Sequence, residues 1–446
     1  MPTWIAISFL IRHTTYANWY YKGKQTMSVT DAAVKTKTPW GSVLLFCMLF
    51  FIFGFVTWLN GPLISFVKLA FSLSDVEAFL VPSVFYLSYF ILSVPASFLL
   101  RKTGMKRGMA LGLLVMGIGA ATFGQFATMR IFPGALTGLF IIGAGLSLLQ
   151  TASNPYISVL GPIESGAQRI AIMGLFNKGA GFLAPIVVGT LILHGMGELN
   201  ASVAAATDPA AKAAILDAFA ARIHTPYMLM AGLLAILAVG TWFSPLPALG
   251  DDANPDNGQG NKFAYIQMFF GFLAIFFYVG VEVMAGDAIT TYANSFGLPL
   301  DQTKFFTSGT LIAMIAGYIA GLIAIPRFVS QEKYLIRSAV LGILLTIGAF
   351  FTKGYVSVGF VAALGFANAM MWPAIFPLGI KGLGKLTELG GALLVMGIAG
   401  GAVIPQLFAH LKTTYDFQLV FLCLMVPCYA YILFFGLFAG RKVKTS

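Results

Sequence analysis

Three ionisable residues stand where charge is costly: Lys178 in "LFNKGAGFLAP" (175–185), and Glu282 and Asp287 in "YVGVEVMAGDAITTY" (278–292). Each falls inside a long apolar segment, where an ionised side chain costs at least ~2.5–3.5 kcal/mol on insertion scales. A carboxylate in a water-filled cavity can gain and lose a proton as the cavity changes sides, because desolvation favours its neutral form and a nearby cation its charged form. Glu282 is therefore the candidate for ion coupling, the alternative being a permanently paired structural acid. Asp287, nearer the end of its segment, reads as a solvated or capping acid. Lys178 lies roughly 14 Å into its segment at about 1.5 Å per residue, near mid-membrane, and Glu282 counts roughly 10 Å higher. The lysine reads as a donor to a substrate hydroxyl or carbonyl oxygen, as a cation that sets an acid's proton affinity, or as a fixed counter-ion.

Neutral polar and aromatic groups surround these charges in sequence: Trp58 and Asn60, Gln150 and Asn154, Asn177, Asn368 and Trp372, and Gln406. Amides offer donors and acceptors together and an indole offers an apolar platform, a combination suited to a neutral polyhydroxyl ring. The expected contact set is Asn60, Gln150, Asn154, Asn177, Lys178, Asn368 and Trp372. Taken singly, each also fits a role as glue between helices.

The elements that hold these residues follow from composition. Of 446 residues, 58% are apolar and 10% charged, with mean hydropathy +0.86, far from a soluble domain. Apolar runs of the roughly 20 residues needed to cross ~30 Å of hydrocarbon recur throughout, and lipid makes them helices. Twelve are expected, at 40–68, 77–100, 106–127, 132–160, 170–194, 225–249, 263–292, 303–326, 334–352, 355–380, 388–411 and 415–440. With both termini cytoplasmic, most of the 27 basic residues fall inside, among them Arg101, Lys102, Lys106, Arg107, Arg327, Lys381 and Arg441. The net charge of +11 is thus chiefly an orientation signal in a bacterial inner membrane, not a nucleic-acid footprint. Polar "LGDDANPDNGQGNK" (249–262) divides the chain into a tail (1–39), a first six-helix bundle (40–248), a linker, a second bundle (263–440) and a short tail (441–446). The stretch before Met27 is a poor signal peptide, and Met27 is a second candidate start.

The halves echo each other. "NPYISVLG" (154–161) matches "WPAIFPLG" (372–379), and "NKGAGFLAP" (177–185) matches "GIAGGAVIP" (397–405), at nearly equal offsets. Parallel repeats of six spans about an axis along the membrane normal describe major facilitator transporters, with substrate held midway between the halves. The basic loop "RKTGMKRG" (101–108), with Gly104 for a tight turn, resembles that superfamily's loop after its second span.

The run "LQTASNPYISVLGPIESGAQRIAIMGLFNKGAGFLAP" (149–185) resembles the fucose–galactose–glucose:H+ symporter family. So, in order, do "TWLNGPLI" (57–64), "TPYM" (225–228), "FYVGVE" (277–282) and "PAIFPLGIKGLG" (373–384). The resemblance implies an all-α membrane protein of the major facilitator fold that imports a monosaccharide by H+ symport, with Na+ as the alternative ion. "LNG" with "FNKGAG" looks most like the N-acetylglucosamine branch, with glucose/galactose permeases second. Two acids of the fucose permease, after Leu-Asn in span one and before Thr-Ala-Ala-Asn-Pro in span four, are replaced here by Gly61 and Gln150. Neither can take up a proton, which leaves Lys178 and Glu282 to stand in for them.

An uncoupled facilitator or exporter is the competing transporter reading. A membrane enzyme is disfavoured, because His13, His194, His224 and His410 are scattered without HExxH or GxSxG spacing. Cys47, Cys423 and Cys428 lack metal spacing. No cofactor is indicated, and Gly-xxx-Gly spacings fit packing within a monomer.

Overall fold

The computed structural model describes residues 40–159, 166–244, 262–325, 327–383 and 386–441, without the side chains of 40–42, 154–159, 166–169, 387 and 388. The expected N-terminal tail, the C-terminal tail beyond Arg441 and the linker before Lys262 lie outside the described residues. Among the described residues, twelve helical segments are long and apolar enough to cross a membrane. They are span 1 (Val43–Ala70), span 2 (Asp75–Thr103), span 3 (Met105–Thr128), span 4 (Phe132–Ser153), span 5 (Ile170–Leu191) and span 6 (Pro209–Phe243), then span 7 (Lys262–Gly286), span 8 (Leu300–Ala324), span 9 (Gln331–Phe351), span 10 (Gly354–Ile380), span 11 (Leu389–Leu411) and span 12 (Phe417–Ala439). One expectation falls short around span 6. The residues between the expected spans 170–194 and 225–249 form helices Met196–Ala205 and Pro209–Ala221, and the second of these begins span 6 well before residue 225. The second is alanine-rich, opens with proline at its first turn and is capped by Asp208, whose carboxylate accepts from the Ala210 and Ala211 amides.

Four spans near the molecular centre are interrupted, two of them where a proline dictates it. Span 1 runs as Trp40–Thr57 and Asn60–Ala70. Pro62 supplies no N–H for the Trp58 carbonyl, so the ladder breaks four residues before the proline. Span 10 repeats this as Gly354–Asn368 and Met371–Ile380, with Pro373 four residues past Ala369. Pro377 likewise frees the Pro373 carbonyl, which accepts from the Gln331 amide at 3.2 Å. Span 7 ends at Gly286 and resumes at Ile289–Asn294 without a proline. There the Asp287 and Ala288 amides both donate to the Val283 carbonyl. The freed Ala285 and Gly286 carbonyls accept from the hydroxyls of Thr310 and Thr307 on span 8, at 2.7 and 2.8 Å. A neighbouring helix thus satisfies backbone groups that lipid cannot. In span 11 the turn Gly397–Ala399 is 3-10 helical.

Spans 1 to 6 pack chiefly among themselves, as do spans 7 to 12. Close backbone approach marks each set. A Cβ on Gly54 of span 1 would lie 1.9 Å from the Asn177 carbonyl oxygen of span 5, and one on Gly400 of span 11 would lie 1.7 Å from the Phe276 carbonyl oxygen of span 7. Gly104, at φ +77°, makes the tight turn expected after span 2. The loop it belongs to defines a basic face, and Lys68, Asp75 and Lys412 lie on the opposite face.

Polar contacts joining the two sets run from the centre toward that opposite face. Ser83 donates to the Ala402 carbonyl at 3.0 Å, Gln406 to the Val76 carbonyl at 3.1 Å, and Lys304 to the Leu193 carbonyl at 3.1 Å. Asp75 binds both Lys412 and Lys68.

Candidate functional site

The interruptions of spans 1 and 10 lie on the walls of a central cavity of about 110 Å³ between the two sets. Drug-sized ligands fill roughly 300–1,000 Å³, so this volume belongs to something smaller. Its wall carries Gln150, Asn177, Lys178, Glu282 and Trp372 from the expected set, together with Trp58. The cavity extends toward the basic face past Phe50, Ile170 and Pro373.

Its chemical centre is an ion pair. Lys178 Nζ donates to Glu282 Oε1 at 2.8 Å, with side-chain exposures of 9% and 12%. The Tyr278 hydroxyl donates to the same oxygen at 2.8 Å from one helical turn away. Lys178 Nζ also lies 4.5 Å from the centre of the Trp58 ring, a cation–π contact. The depth difference counted along straight helices does not separate the two residues, because a lysine reaches along its long stem. At the position of Lys178 in the second repeat stands Ile398, which lines the same cavity. Only one of the two equivalent places carries charge.

Around the pair, Gln150 donates to the Tyr89 hydroxyl at 3.3 Å, and the Asn177 amide reaches the Phe50 carbonyl at 3.4 Å. Trp372 stacks on Phe376 with ring centres 5.5 Å apart. Two expected contacts are not in the wall. Asn368 is fully buried and accepts from the Tyr429 hydroxyl at 2.8 Å, so its amide ties span 10 to span 12. Asn60 is buried at the head of the second part of span 1, beside Tyr86. The side chain of Asn154 lies outside the described residues. Asp287 is neither solvated nor a cap: it is 1% exposed, and the helix after it has no side-chain cap.

The sequence reading missed the tyrosines. Tyr86, Tyr89, Tyr278 and Tyr318 all line the cavity. Hydropathy treats a phenol as an aromatic hydrocarbon, but a buried hydroxyl needs a partner. The spacing of Tyr278 and Glu282, one turn apart in "FYVGVE", was the available signal.

A family model described as Major Facilitator Superfamily matches residues 46–405. The chain belongs to that superfamily. Similar curated proteins place this facilitator further. A glucose/galactose transporter of Brucella abortus is 32% identical over 404 residues, covering 89% of this chain and 93% of the relative. The L-fucose-proton symporter of Escherichia coli is 31% identical over 380 residues, covering 82% of this chain and 86% of the relative. The facilitator is a member of the fucose–galactose–glucose:H+ symporter family, and it is a transporter, not an enzyme. A crystal structure of the E. coli fucose:proton symporter superposes with TM-score 0.72 at 28% identity, covering 91% of this chain and 100% of that one. A human organic anion transporter, at 16% identity and TM-score 0.62, shares the fold alone.

Proposed function

We propose that this facilitator imports a monosaccharide across the bacterial inner membrane by proton symport, with the basic face cytoplasmic and residues 40–248 and 263–440 rocking as two bundles about the central cavity. The observation that carries the reading is the Lys178–Glu282 pair: one partner comes from each bundle, and both line the central cavity. When Glu282 takes a proton, Lys178 loses its counter-charge and its donors turn to a ligand oxygen. When Glu282 is charged, it competes with the ligand for the ammonium. Gln150, Asn177, Trp58 and Trp372 supply amides and indole faces for hydroxyls and ring carbons.

N-acetylglucosamine is the proposed sugar, on the "LNG" and "FNKGAG" combination, with Lys178 donating to the acetamido carbonyl. Glucose or galactose is the second reading. It is favoured by the relative named as a glucose/galactose transporter, and a lysine donates equally well to a hydroxyl. The test is uptake of labelled N-acetylglucosamine into proteoliposomes under an inward proton gradient, with unlabelled glucose, galactose and fucose as competitors. Accumulation is expected, and Glu282→Gln is expected to abolish it while exchange continues. Full accumulation by Glu282→Gln would overturn the coupling assignment, and competition by glucose or galactose alone would move the substrate to the second reading.

A further inference from the structure

Between the central cavity and the opposite face lies a thin buried layer formed where spans 1 and 7 are interrupted. Below it, Trp58, Tyr86 and Glu282 line the central cavity. Above it, Ser65, Thr291 and Asn294 line a second cavity of about 480 Å³ that also reaches Lys68, Asp75 and Lys412. Asp287 sits in the layer, one turn before Thr291. Its Oδ2 accepts from the Tyr86 hydroxyl at 3.3 Å, a bond from span 2 to span 7 and so between the two bundles. The Gly61 backbone bears on the same carboxyl, yet Oδ1 is buried and makes no hydrogen bond. A Cβ on Gly61 would lie 3.3 Å from Oδ1, so span 1 leaves the space of one side chain to this carboxyl.

Charge counting decides what the group can do. Lys178 is held by Glu282, and among the described residues Asp287 has no cation paired to it. The titratable or charged groups bearing on Asp287 are Tyr86 from span 2, Lys178 from span 5 and Glu282 from its own span. Span 1 contributes Gly61 and span 8 contributes Thr307, which do not titrate. An ionised carboxylate with one weak donor and a bare oxygen is poorly accommodated away from water, whereas the neutral acid is not. A metal ion needs several oxygen ligands, but the other unpartnered groups nearby, Trp58 Nε1 and Asn60 Nδ2, are donors. Among the described residues no cluster of three or more metal-binding side chains occurs.

We propose that Asp287 is a second proton-binding residue, loaded from the cavity on the opposite face when the bundles part and Tyr86 releases it. In that open form the carboxylate meets water and takes one proton. As the bundles close, the neutral acid is sealed beneath Tyr86. Closure with Asp287 ionised is disfavoured, so the empty, unprotonated carrier is held open to that face. This inference rests on alternating access between the two cavities.

Two measurements test it. In the purified full-length protein, dicyclohexylcarbodiimide, which reacts with protonated buried carboxyls, should label Asp287, with peptide mass spectrometry showing more adduct as pH falls and no protection by NaCl. Labelling that ignores pH, or that sodium suppresses, would overturn the assignment. In proteoliposomes, the second measurement uses a Glu282→Gln background, which keeps exchange but removes the other titrating acid. There, exchange of N-acetylglucosamine, glucose or galactose should still respond to external pH, should lose that response on Asp287→Asn, and should regain it on Asp287→Glu. Gly61→Asp in an Asp287→Gly background returns a carboxylate to the same space and should also recover the response. A normal pH response in Asp287→Asn on the Glu282→Gln background, or loss of all exchange that Asp287→Glu does not rescue, would reduce the residue to packing. Should the wild type move none of the three sugars, the substrate reading fails while the labelling result still decides the role of Asp287.

Discussion

Replacing both partners of the central pair should harm the fold far less than the two single replacements summed. Lys178 and Glu282 are about nine-tenths buried, and breaking a buried pair by removing one partner costs about 3–5 kcal/mol. Lys178→Met leaves Glu282 with the Tyr278 hydroxyl as a donor, which puts the loss near the low end, at about 3 kcal/mol. Glu282→Gln leaves the ammonium over Trp58 with an amide oxygen still in reach, and about 2 kcal/mol is expected. Independent effects would sum to about 5 kcal/mol. Lys178→Met with Glu282→Gln removes both charges and keeps the Tyr278 bond to an amide, so the double variant should lose only about 1–2 kcal/mol, a coupling of about 3–4 kcal/mol. Unfolding free energies in mixed detergent micelles, measured for all four proteins, give the cycle directly. A double variant as unstable as the sum of the single ones would show that the two charges do not depend on each other in the folded protein.

Two further outcomes follow from the packing. Gly400→Ala places a Cβ where the Phe276 carbonyl oxygen stands, and spans 7 and 11 must separate. A loss of at least ~1–3 kcal/mol and a sharp fall in folded yield are expected by size-exclusion chromatography, and wild-type yield and melting would contradict the close approach. Asp75→Asn cuts the bridge to Lys412 on the opposite face; Lys412 is 10% exposed and Lys68 47%, so the first bond carries most of the effect, about 1 kcal/mol. That corresponds to a shift of roughly fivefold toward the form open on that face, read as faster labelling of Ser65→Cys by an impermeant maleimide in a background free of the native cysteines. Unchanged labelling would mean that the bridge does not hold the face shut.

The twelve spans were legible because a lipid-crossing helix needs a long apolar run and nothing more elaborate. Lys178 and Glu282 were legible for the opposite reason, as charges in such runs. Their pairing was not, since counting residues from a helix end fixes the height of a Cα and says little about where a long side chain ends. Asp287 was misplaced by the same counting: its span is interrupted at that residue, and the chain that follows, Ile289–Ala293, is buried. Asn60 and Asn368 look alike as amides in apolar helices, and only the direction a residue faces separates a ligand contact from a tie between helices. Both adjoin interruptions set by Pro62 and Pro373, where helix ends turn side chains away from the line a regular helix would predict.

The two repeats clarify why one lysine suffices. Ile398 occupies the equivalent place in the second half, so the cavity carries its cation on one side only. A ring with hydroxyls on its edges and carbon on its faces fits such asymmetry in one orientation. Because Lys178 belongs to the first set of spans and Glu282 to the second, any relative motion of the two sets must either carry the bond or break it. Protonation of Glu282 makes breaking cheap, and a ligand oxygen on Lys178 makes it cheaper. By linkage, whatever factor a proton on Glu282 adds to ligand affinity, the ligand adds to the affinity for that proton, so this bond would tie proton to ligand while Asp287 would act on the opening and closing step.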